Sequence, residues 1–421
     1  MRHLDDKTSV LDELPRRTFL GAGTAALASV AFASLKAGAQ TRENTSKAEK
    51  DHSASNPGPQ NTPLINENPN SNVPPPTDHG DIGPMWYSFD LTHRRIQEGG
   101  WTDQVTQREL PTSTDIAGVN MRLTAGSFRE LHWHTANEWA YMEYGNARIT
   151  LFDLDGTMFV DDVGPGDLWY FPAGSPHSIQ GLGPDGAQFL LVFDQGLFSE
   201  EDTFLISEFM AHTPADVLMK NSRLSQSDIA KLPQEALYIF PAPLPKSLAE
   251  DRASIPPSRA KSRKQFTFKP STLDPIVKND AGEVRVVDSR NFPVDTTISA
   301  GIIRLTPGSM RELHWHPNAA EWQYWLTGKG RVGVVTTHGN ARTMDFHAND
   351  VGFVPIDAGH YFENTGNTDL LVLEMFKAPT FQDFSLNNWI RSMPPEMAMA
   401  HLRLDAAAIA KIPAEKLYIM R

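Results

Sequence analysis

The sequence has no cysteine among its 421 residues, which excludes disulfide scaffolds and thiol chemistry. Positive charge is also in short supply, because 38 basic side chains stand against 51 acidic ones, for a net charge of −13. An acidic chain offers no basic footprint to a phosphate backbone, so we expect no nucleic-acid partner. Glycine and proline are plentiful at 29 and 31 residues, which favours many short strands joined by tight turns.

No run of apolar residues is long enough to predict a membrane span. The best one follows Arg16 and Arg17, is diluted by glycine, serine and threonine, and ends at Leu35, short of the ~20 strongly apolar residues that a span needs. With the Ala-Gly-Ala segment at 37–39, this pattern predicts a cleavable twin-arginine signal over residues 1–39, the alternative being a membrane anchor. We therefore expect a periplasmic or secreted protein.

The rest of the chain divides into a spacer and two copies of one unit. Residues 40–83 are rich in Asn, Pro, Ser and Thr, lack aromatic residues and predict a flexible spacer. The stretch GSFRELHWH at 126–134 recurs as GSMRELHWH at 308–316, and DIAKLPQEALYI near the end of the first copy recurs as AIAKIPAEKLYI near the end of the second. A period of about 180 residues indicates domain duplication and not a solenoid. The predicted domains cover 84–240 and 265–421, joined by a linker at 241–264.

Each copy carries the pattern of a β domain. Short alternating or apolar segments such as FLLVF and LLVLEMF are bounded by Gly, Pro, Asn and Asp every eight to twelve residues. Residues 208–232 and 388–412 instead carry apolar residues at helical spacing, with Pro214 and Pro394 near helix starts. The sequence predicts an all-β fold of two sandwiches or small barrels, each followed by an α-helical tail.

Histidines at matching positions of the two copies are the strongest functional signal. His132 and His134 are two residues apart, so a strand would place both side chains on one face. A lone buried histidine is more often structural, but coincidence explains a repeated pattern poorly. We therefore predict metal binding by two equivalent sets: His132, His134, Glu138 and His177 in the first copy, and His314, His316, Glu321 and His360 in the second.

The spacing of these residues resembles the two motifs of the cupin family. Gly126, Gly145 and the Pro172–His177 turn fit in the first copy, although Gly181 stands where the family usually has Asn; the second copy keeps Asn364 but lacks the Pro-x-Gly turn. The resemblance implies double-stranded β-helix, or jelly-roll, barrels. Three imidazoles and one carboxylate leave two positions open on an octahedral metal, which suits Mn²⁺ or Fe²⁺; the spacing does not distinguish them.

Longer runs, among them RELHWH, GDLWYFPAGSPHSIQ and LEMFK, resemble the bicupin oxalate decarboxylases over about residues 84–421. The resemblance implies two Mn²⁺ per chain, oxalate as substrate, dioxygen as a redox co-catalyst that is not consumed, and formate and carbon dioxide as products. It places catalysis in the first barrel, beneath a mobile Ser-Glu-Asn-Ser lid whose glutamate moves protons. It also implies a homo-oligomer, built as trimers that stack into hexamers.

The repeat locates a lid independently. Phe198 aligns with Phe381 at an offset of 183, whereas Phe209 aligns with Trp389 at 180, so the first copy has three extra residues, within 199–202. An acidic insertion in one copy predicts an asymmetric active-site lid, with a solvated loop as the alternative.

Two lid residues match the family and two depart from it. Ser199 and Glu200 match, while Glu201 and Asp202 replace Asn and Ser. Glu200 is thus the predicted proton donor. We expect the two added carboxylates to raise its pKa.

Three further charged residues complete the prediction. Arg129 and Arg311 lie three residues before the first histidine of each set, hence on the opposite strand face unless a turn intervenes; they are candidates to bind an anionic substrate, with structural salt bridges as the alternative. Glu374 stands where the first copy has Leu191, and the resemblance assigns it to the second site, paired with Arg311.

The predicted function is oxalate decarboxylation. The alternatives are an oxalate oxidase, which releases hydrogen peroxide and lacks a placed proton donor, and a non-catalytic storage-type bicupin.

Overall fold

The computed structural model describes residues 59, 61–67, 82–257 and 262–421. The predicted signal at 1–39 and most of the predicted spacer lie outside these residues. Within the spacer a short helix, α1, covers Thr62–Glu67. Among the described residues, no helix is long and apolar enough to cross a membrane.

The first repeat is built of short strands followed by three short helices. Its strands are β1 (Trp86–Ser88), β2 (Arg95–Gln97), β3 (Gly100–Val105), β4 (Ala117–Leu123), β5 (Phe128–Trp133), β6 (Glu138–Gly145), β7 (Ala147–Phe152), β8 (Met158–Val163), β9 (Leu168–Phe171), β10 (His177–Gly181), β11 (Ala187–Phe193), β12 (Phe204–Leu205) and β13 (Ile239–Phe240). The helices of its tail are α2 (Ile206–Ala211), α3 (Ala215–Ser222) and α4 (Gln226–Ile229).

The second repeat follows the same plan after a linker helix, α5 (Leu248–Ser254). Its strands are β14 (Thr267–Phe268), β15 (Val277–Asn279), β16 (Gly282–Val287), β17 (Ser299–Leu305), β18 (Met310–Trp315), β19 (Glu321–Thr327), β20 (Lys329–Val335), β21 (Ala341–His347), β22 (Asp350–Val354), β23 (Gly359–Asn364), β24 (Leu370–Phe376), β25 (Phe384–Ser385) and β26 (Ile419–Met420). The tail helices are α6 (Leu386–Ser392), α7 (Pro395–Leu402) and α8 (Ala406–Ile409).

Each repeat closes as a barrel of two antiparallel sheets. In the first, the larger sheet runs β14-β9-β6-β11-β4-β3-β2, and the smaller runs β12-β5-β10-β7-β8, with β13 also on β5. The second has β1-β22-β19-β24-β17-β16-β15 and β21-β20-β23-β18-β25, with β26 on β18. The predicted all-β class of two cupin-type barrels with helical tails is confirmed, and Pro214 and Pro394 indeed cap α3 and α7 at their N-termini.

The two barrels exchange edge strands. Strand β1, which precedes the first barrel in the chain, pairs with β22 of the second, and β14 pairs with β9 of the first. Between the barrels, apolar side chains from both repeats form one buried cluster that includes Trp139 and Trp322. The barrels therefore share an apolar core, and each sheet next to that core includes one edge strand from outside its own repeat. The domain boundaries at 84–240 and 265–421 remain a prediction.

Candidate metal centres and active site

The structure brings each predicted set of four side chains together inside its barrel. In each set the candidate ligand atoms lie within 4.8 Å of one another, and all eight residues are buried. Strand pairing explains this convergence: His132 on β5 lies opposite His177 on β10, and His314 on β18 lies opposite His360 on β23. The side chains thus point into the barrel from neighbouring strands, as the His-x-His spacing predicts.

All six imidazoles are fixed in the same tautomer. In each ring Nδ1 donates to a backbone carbonyl at 2.6–2.9 Å, which directs the lone pair of Nε2 inward. Among the described residues, Nε2 of His177, His314 and His316 has no hydrogen-bond partner that meets normal geometry. Buried nitrogen acceptors without donors are what a cation site requires.

The two carboxylates are held by different neighbours. Glu138 accepts a hydrogen bond from Trp169 Nε1 at 3.1 Å. Glu321 accepts one from Gln323 Nε2 at 2.6 Å, and Gln323 accepts in turn from Trp325 Nε1 at 3.1 Å. Each carboxylate keeps its second oxygen toward the histidines.

The protonation states suit a divalent cation. Burial alone would raise the pKa of Glu138, but His134 and His177 outweigh burial and lower that pKa to about 2. Burial, together with the charge of Arg129, lowers the pKa of His132, and burial lowers that of His177. The first site at neutral pH therefore offers one ionised carboxylate, with His132 and His177 in their neutral form. In the second site the pKa of Glu321 is likewise lowered by His360 and His316 against the effect of burial.

Both predicted arginines lie on the same face as the histidines. Regular alternation would place the side chains of Arg129 and His132 on different faces of β5, but β5 carries a bulge. Arg129 and His132 are three residues apart, whereas their partners on β10, Ile179 and His177, are two apart. Strand β18 has the same bulge between Arg311 and His314. The bulge turns each arginine into its barrel, where both are fully buried.

In the first barrel, Arg129 is tied to the predicted lid. Its Nε donates to Glu200 Oε1 at 2.6 Å, and Nη2 donates to Thr203 Oγ1 at 3.0 Å. Nη1 of Arg129 and Oε2 of Glu200 have no hydrogen-bond partner within the described part of the chain. The arginine and the carboxylate thus each keep one free hydrogen-bonding position in a buried site.

The insertion forms a short 3₁₀ turn over Glu200–Asp202, capped by Ser199. Glu200 points inward and is 3% exposed, whereas Glu201 and Asp202 are exposed. The pKa of Glu200 is raised, as expected, but the expected cause was wrong. Burial is the main cause that raises it, Arg129 opposes the effect, and the carboxylate that adds to it is Glu138 of the metal site.

In the second barrel, Arg311 has two carboxylate partners. Its Nε lies 3.4 Å from Glu374 Oε1, and Nη2 donates to Asp383 Oδ2 at 2.6 Å. Asp383 also pairs with Lys416. Burial and the nearby Glu321 raise the pKa of Glu374 to about 8, while Arg311 opposes them.

The segment that replaces the lid in the second barrel also supports a ligand. His316 Nδ1 donates to the carbonyl of Gln382, next to Asp383, whereas His134 donates to Ala136 in its own loop. The second-barrel segment is therefore hydrogen-bonded to a candidate metal ligand, whereas the side-chain hydrogen bonds of the lid in the described part of the chain go to Arg129, to Gln104 and within the lid.

Several residues of the site were not predicted from sequence. Thr203 and Asp383 hold the arginines, and Gln104 contacts the lid. Glu130, inside the repeated RELHWH motif, accepts backbone N–H groups of Ser207, Leu237 and Tyr238. Only Glu130 had a signal, its recurrence as Glu312.

Comparison with known proteins identifies the family to which this chain belongs. The cupin family matches the chain twice, over residues 88–230 and 268–410. This is a protein of two cupin domains. It is 48% identical over 346 residues to oxalate decarboxylase OxdC of Bacillus subtilis, covering 82% of this chain and 89% of that protein. It is 39% identical over 368 residues to a probable oxalate decarboxylase of Arthroderma benhamiae, covering 86% and 90%.

A solved structure of the B. subtilis oxalate decarboxylase, from work on its Mn(II) centres, matches with a TM-score of 0.83 at 45% identity and covers 86% of this chain and 96% of that one. Within the cupin family, the chain belongs to the bicupin oxalate decarboxylases.

Proposed function

We propose that this protein decarboxylates oxalate to formate and carbon dioxide in its first barrel. The observation that carries the proposal is the buried pair of Arg129 and Glu200, which a lid present only in the first repeat holds over a His₃Glu site. The names of its relatives support oxalate as the substrate.

We infer that both sites bind Mn²⁺. Three fixed imidazole nitrogens and one ionised carboxylate fit a first-row divalent cation, and the B. subtilis relative has Mn(II) centres. When bound, manganese with dioxygen would supply the one-electron chemistry that weakens the C–C bond of oxalate.

The residues of the first site have separate tasks. Arg129 Nη1 would bind one carboxylate of oxalate, because it is a buried donor without a partner. Glu200 would take the acidic proton of oxalate and return it to the carbon that becomes formate, since Oε2 is free and burial keeps its pKa raised. Oxalate would therefore react as its monoanion, whose single proton moves from a carboxyl oxygen to the carbon that becomes formate while the other carboxyl group leaves as carbon dioxide, which balances the reaction.

We propose that the second site binds metal without turning over oxalate. Arg311 is already paired with Glu374 and Asp383, so a substrate carboxylate would have to displace one of them. The segment around Asp383 also supports His316, so its opening would disturb a ligand. This proposal replaces the substrate-binding role that the sequence suggested for Arg311.

One assay tests the proposal. Protein loaded with manganese should convert oxalate to equimolar formate and carbon dioxide under air, and protein stripped of metal should not. Hydrogen peroxide in place of formate would make it an oxalate oxidase. Neither product at full metal content would make it a storage-type bicupin.

We also propose export by the twin-arginine route to the periplasm or the medium, on the basis of Arg16 and Arg17. Cell fractionation should find the wild-type protein outside the cytoplasm. The chain with both arginines changed to lysine should stay inside; equal export of the two would contradict this route.

A further inference from the structure

The lid of the first barrel, residues 199–203, is held from two sides. On its inner side, Arg129 binds the carboxylate of Glu200 and the hydroxyl of Thr203. On its outer side, the described side chain that binds the lid is Gln104 of strand β3. In the proposed function Arg129 also has a second task, because its free Nη1 would bind substrate. Within the described part of the chain, the hydrogen bonds of the Gln104 side chain all go to the lid.

The side-chain amide of Gln104 binds the lid through both its oxygen and its nitrogen. Its Oε1 accepts the backbone N–H of Glu200 at 3.0 Å, and its Nε2 donates to Ser199 Oγ at 3.2 Å. Ser199 Oγ in turn accepts the N–H of Glu201 at 3.3 Å, which caps the 3₁₀ turn at its N-terminus. One side chain therefore fixes the backbone of the residue that carries the proton donor.

The support beneath Gln104 is rigid. Gln104 lies opposite Val119 of β4, within a run of β3–β4 pairing that continues to Val105, whereas the pairing of β3 with β2 ends at Thr102. The backbone of Gln104 cannot follow the lid without breaking this sheet. A lid that opens must leave Gln104 behind.

Space is available for the lid outside the site. A cavity of about 220 Å³ lies against the lid, lined by Gln104, Glu200, Glu201, Tyr238 and Arg95 among others. Close packing therefore does not confine the lid on this side, and its hydrogen bonds have a large share in setting the closed position.

The second repeat lacks both parts of this arrangement. The equivalent of Gln104 there is Val286, which faces Gly301 as Gln104 faces Val119. The segment between Phe381 and Phe384 is three residues shorter than its counterpart between Phe198 and Phe204. Within this chain, the repeat that has the lid also has an amide side chain at this position, and the repeat without the lid has an apolar one.

We propose that Gln104 is a positioning residue that holds the lid closed and Glu200 over the first metal site. The inference deepens the proposed function and rests on it for the role of Glu200. When the clamp is lost, the open lid gains population, Glu200 leaves Arg129 more often, and proton delivery to the product carbon slows.

The test compares two identical substitutions, with the lid observed directly. Gln104→Met keeps the length of the side chain and removes both hydrogen bonds. Gln107→Met makes the same change nearby, at a side chain with no hydrogen bond among the described residues. Amide hydrogen exchange at 199–202 should become roughly tenfold faster in Gln104→Met, the scale of one or two lost hydrogen bonds, and stay unchanged in Gln107→Met. Formate production at equal manganese content should fall several-fold in Gln104→Met alone.

A conservative variant separates clamping from general stability. Gln104→Glu keeps an acceptor for the N–H of Glu200 and can accept from the Ser199 hydroxyl, so its lid should exchange within about twofold of wild type. Wild-type exchange in Gln104→Met, or equally fast exchange in Gln104→Met and Gln104→Glu, would overturn the proposal. Failure of the wild-type protein to form formate would instead overturn the proposed function and leave the exchange result standing.

Discussion

Six histidines and two glutamates form the two sites, and each set has all four ligands in place. We predict up to two manganese ions per chain, with each site filled independently, because the sets share no residue. Changing His132 and His134 together to alanine should remove about half of the bound manganese, and changing His314 and His316 should remove the other half. Metal analysis of the purified variants checks this. Zinc as the native metal, with no activity after manganese is restored, would contradict the redox chemistry.

The two unusual carboxylates should behave differently when neutralised. Glu200→Gln should keep manganese and oxalate binding yet lower formate production by about 10²-fold or more, the usual scale for a general acid. Peroxide formation can persist, because dioxygen can then take both electrons of oxalate. Glu374→Gln should spare formate production and affect the stability or metal content of the second site, where Arg311 keeps Asp383.

Measuring formate and peroxide for both variants at equal metal content makes the comparison decisive. Loss of formate in Glu374→Gln through chemistry alone, with Glu200→Gln near full activity, would place catalysis in the second barrel.

The metal ligands could be predicted from sequence because the chain carries them twice at nearly constant spacing. The inward position of Arg129 could not, since strand alternation assumes a regular strand and the bulge becomes visible only when β5 pairs with β10. Gln104 and Asp383 left no signal either. Gln104 contacts a lid 96 residues further along the chain, and Asp383 contacts Arg311 72 residues before it. Such contacts between distant segments are seen only in the folded structure.

At the scale of secondary-structure elements, the repeated motif glutamate attaches each helical tail to its barrel. Glu130 accepts three backbone N–H groups, one of them at the start of α2, and holds Tyr238 in a left-handed conformation with φ of 52°. Glu130→Ala should leave these N–H groups unpaired in a buried site and lower the free energy of unfolding by about 3 kcal/mol. Denaturant unfolding measures this loss, and limited proteolysis should cut first within 206–237. A variant with wild-type stability would show that the tail is held by its apolar contacts.

The exchange of β1 and β14 is a feature of elements that the sequence did not predict. Each is only two or three residues long. The pairing of such short strands is decided by the sheet edge that they meet and not by their own alternation. The sequence thus predicts where one repeat ends and the next begins, but it does not predict that β1 and β14 pair with the sheet of the other repeat.

At the scale of the whole molecule, the junction between the barrels contains a carboxyl group with a perturbed pKa. Burial raises the pKa of Glu143 from 4.5 to about 7, against the effects of the nearby Tyr324 of the second barrel and of a hydrogen bond from Gln188. Between these values the folded chain holds a proton that the unfolded chain releases, so the free energy of unfolding falls as pH rises from about 4.5 to 7. Glu143→Gln removes this contribution. Thermal unfolding at pH 5 and pH 8 should differ less for it than for wild type or the exposed control Glu98→Gln; an unchanged difference would contradict this origin.

Two clusters of partly exposed aromatic side chains lie at equivalent places on the two repeats and support the oligomer that the sequence predicts. Phe204 and Phe209 pack around Trp133 with 52% and 61% of their surface exposed, and Phe384 and Trp389 pack around Trp315 with 53% and 54% exposed. Clusters of this kind on both tails are typical of subunit interfaces.

We propose a trimer or hexamer in which the tails pack between subunits, so light scattering should give a mass several times that of one subunit, which is 46.7 kDa before the predicted signal is removed. Phe209→Lys with Trp389→Lys should reduce the assembly to smaller species, because each lysine would have to bury a charge in an apolar contact. Leu154→Lys, at a residue 72% exposed outside both clusters, should leave the mass unchanged. A wild-type protein that runs as a monomer would leave these aromatic clusters without the partner we assign to them.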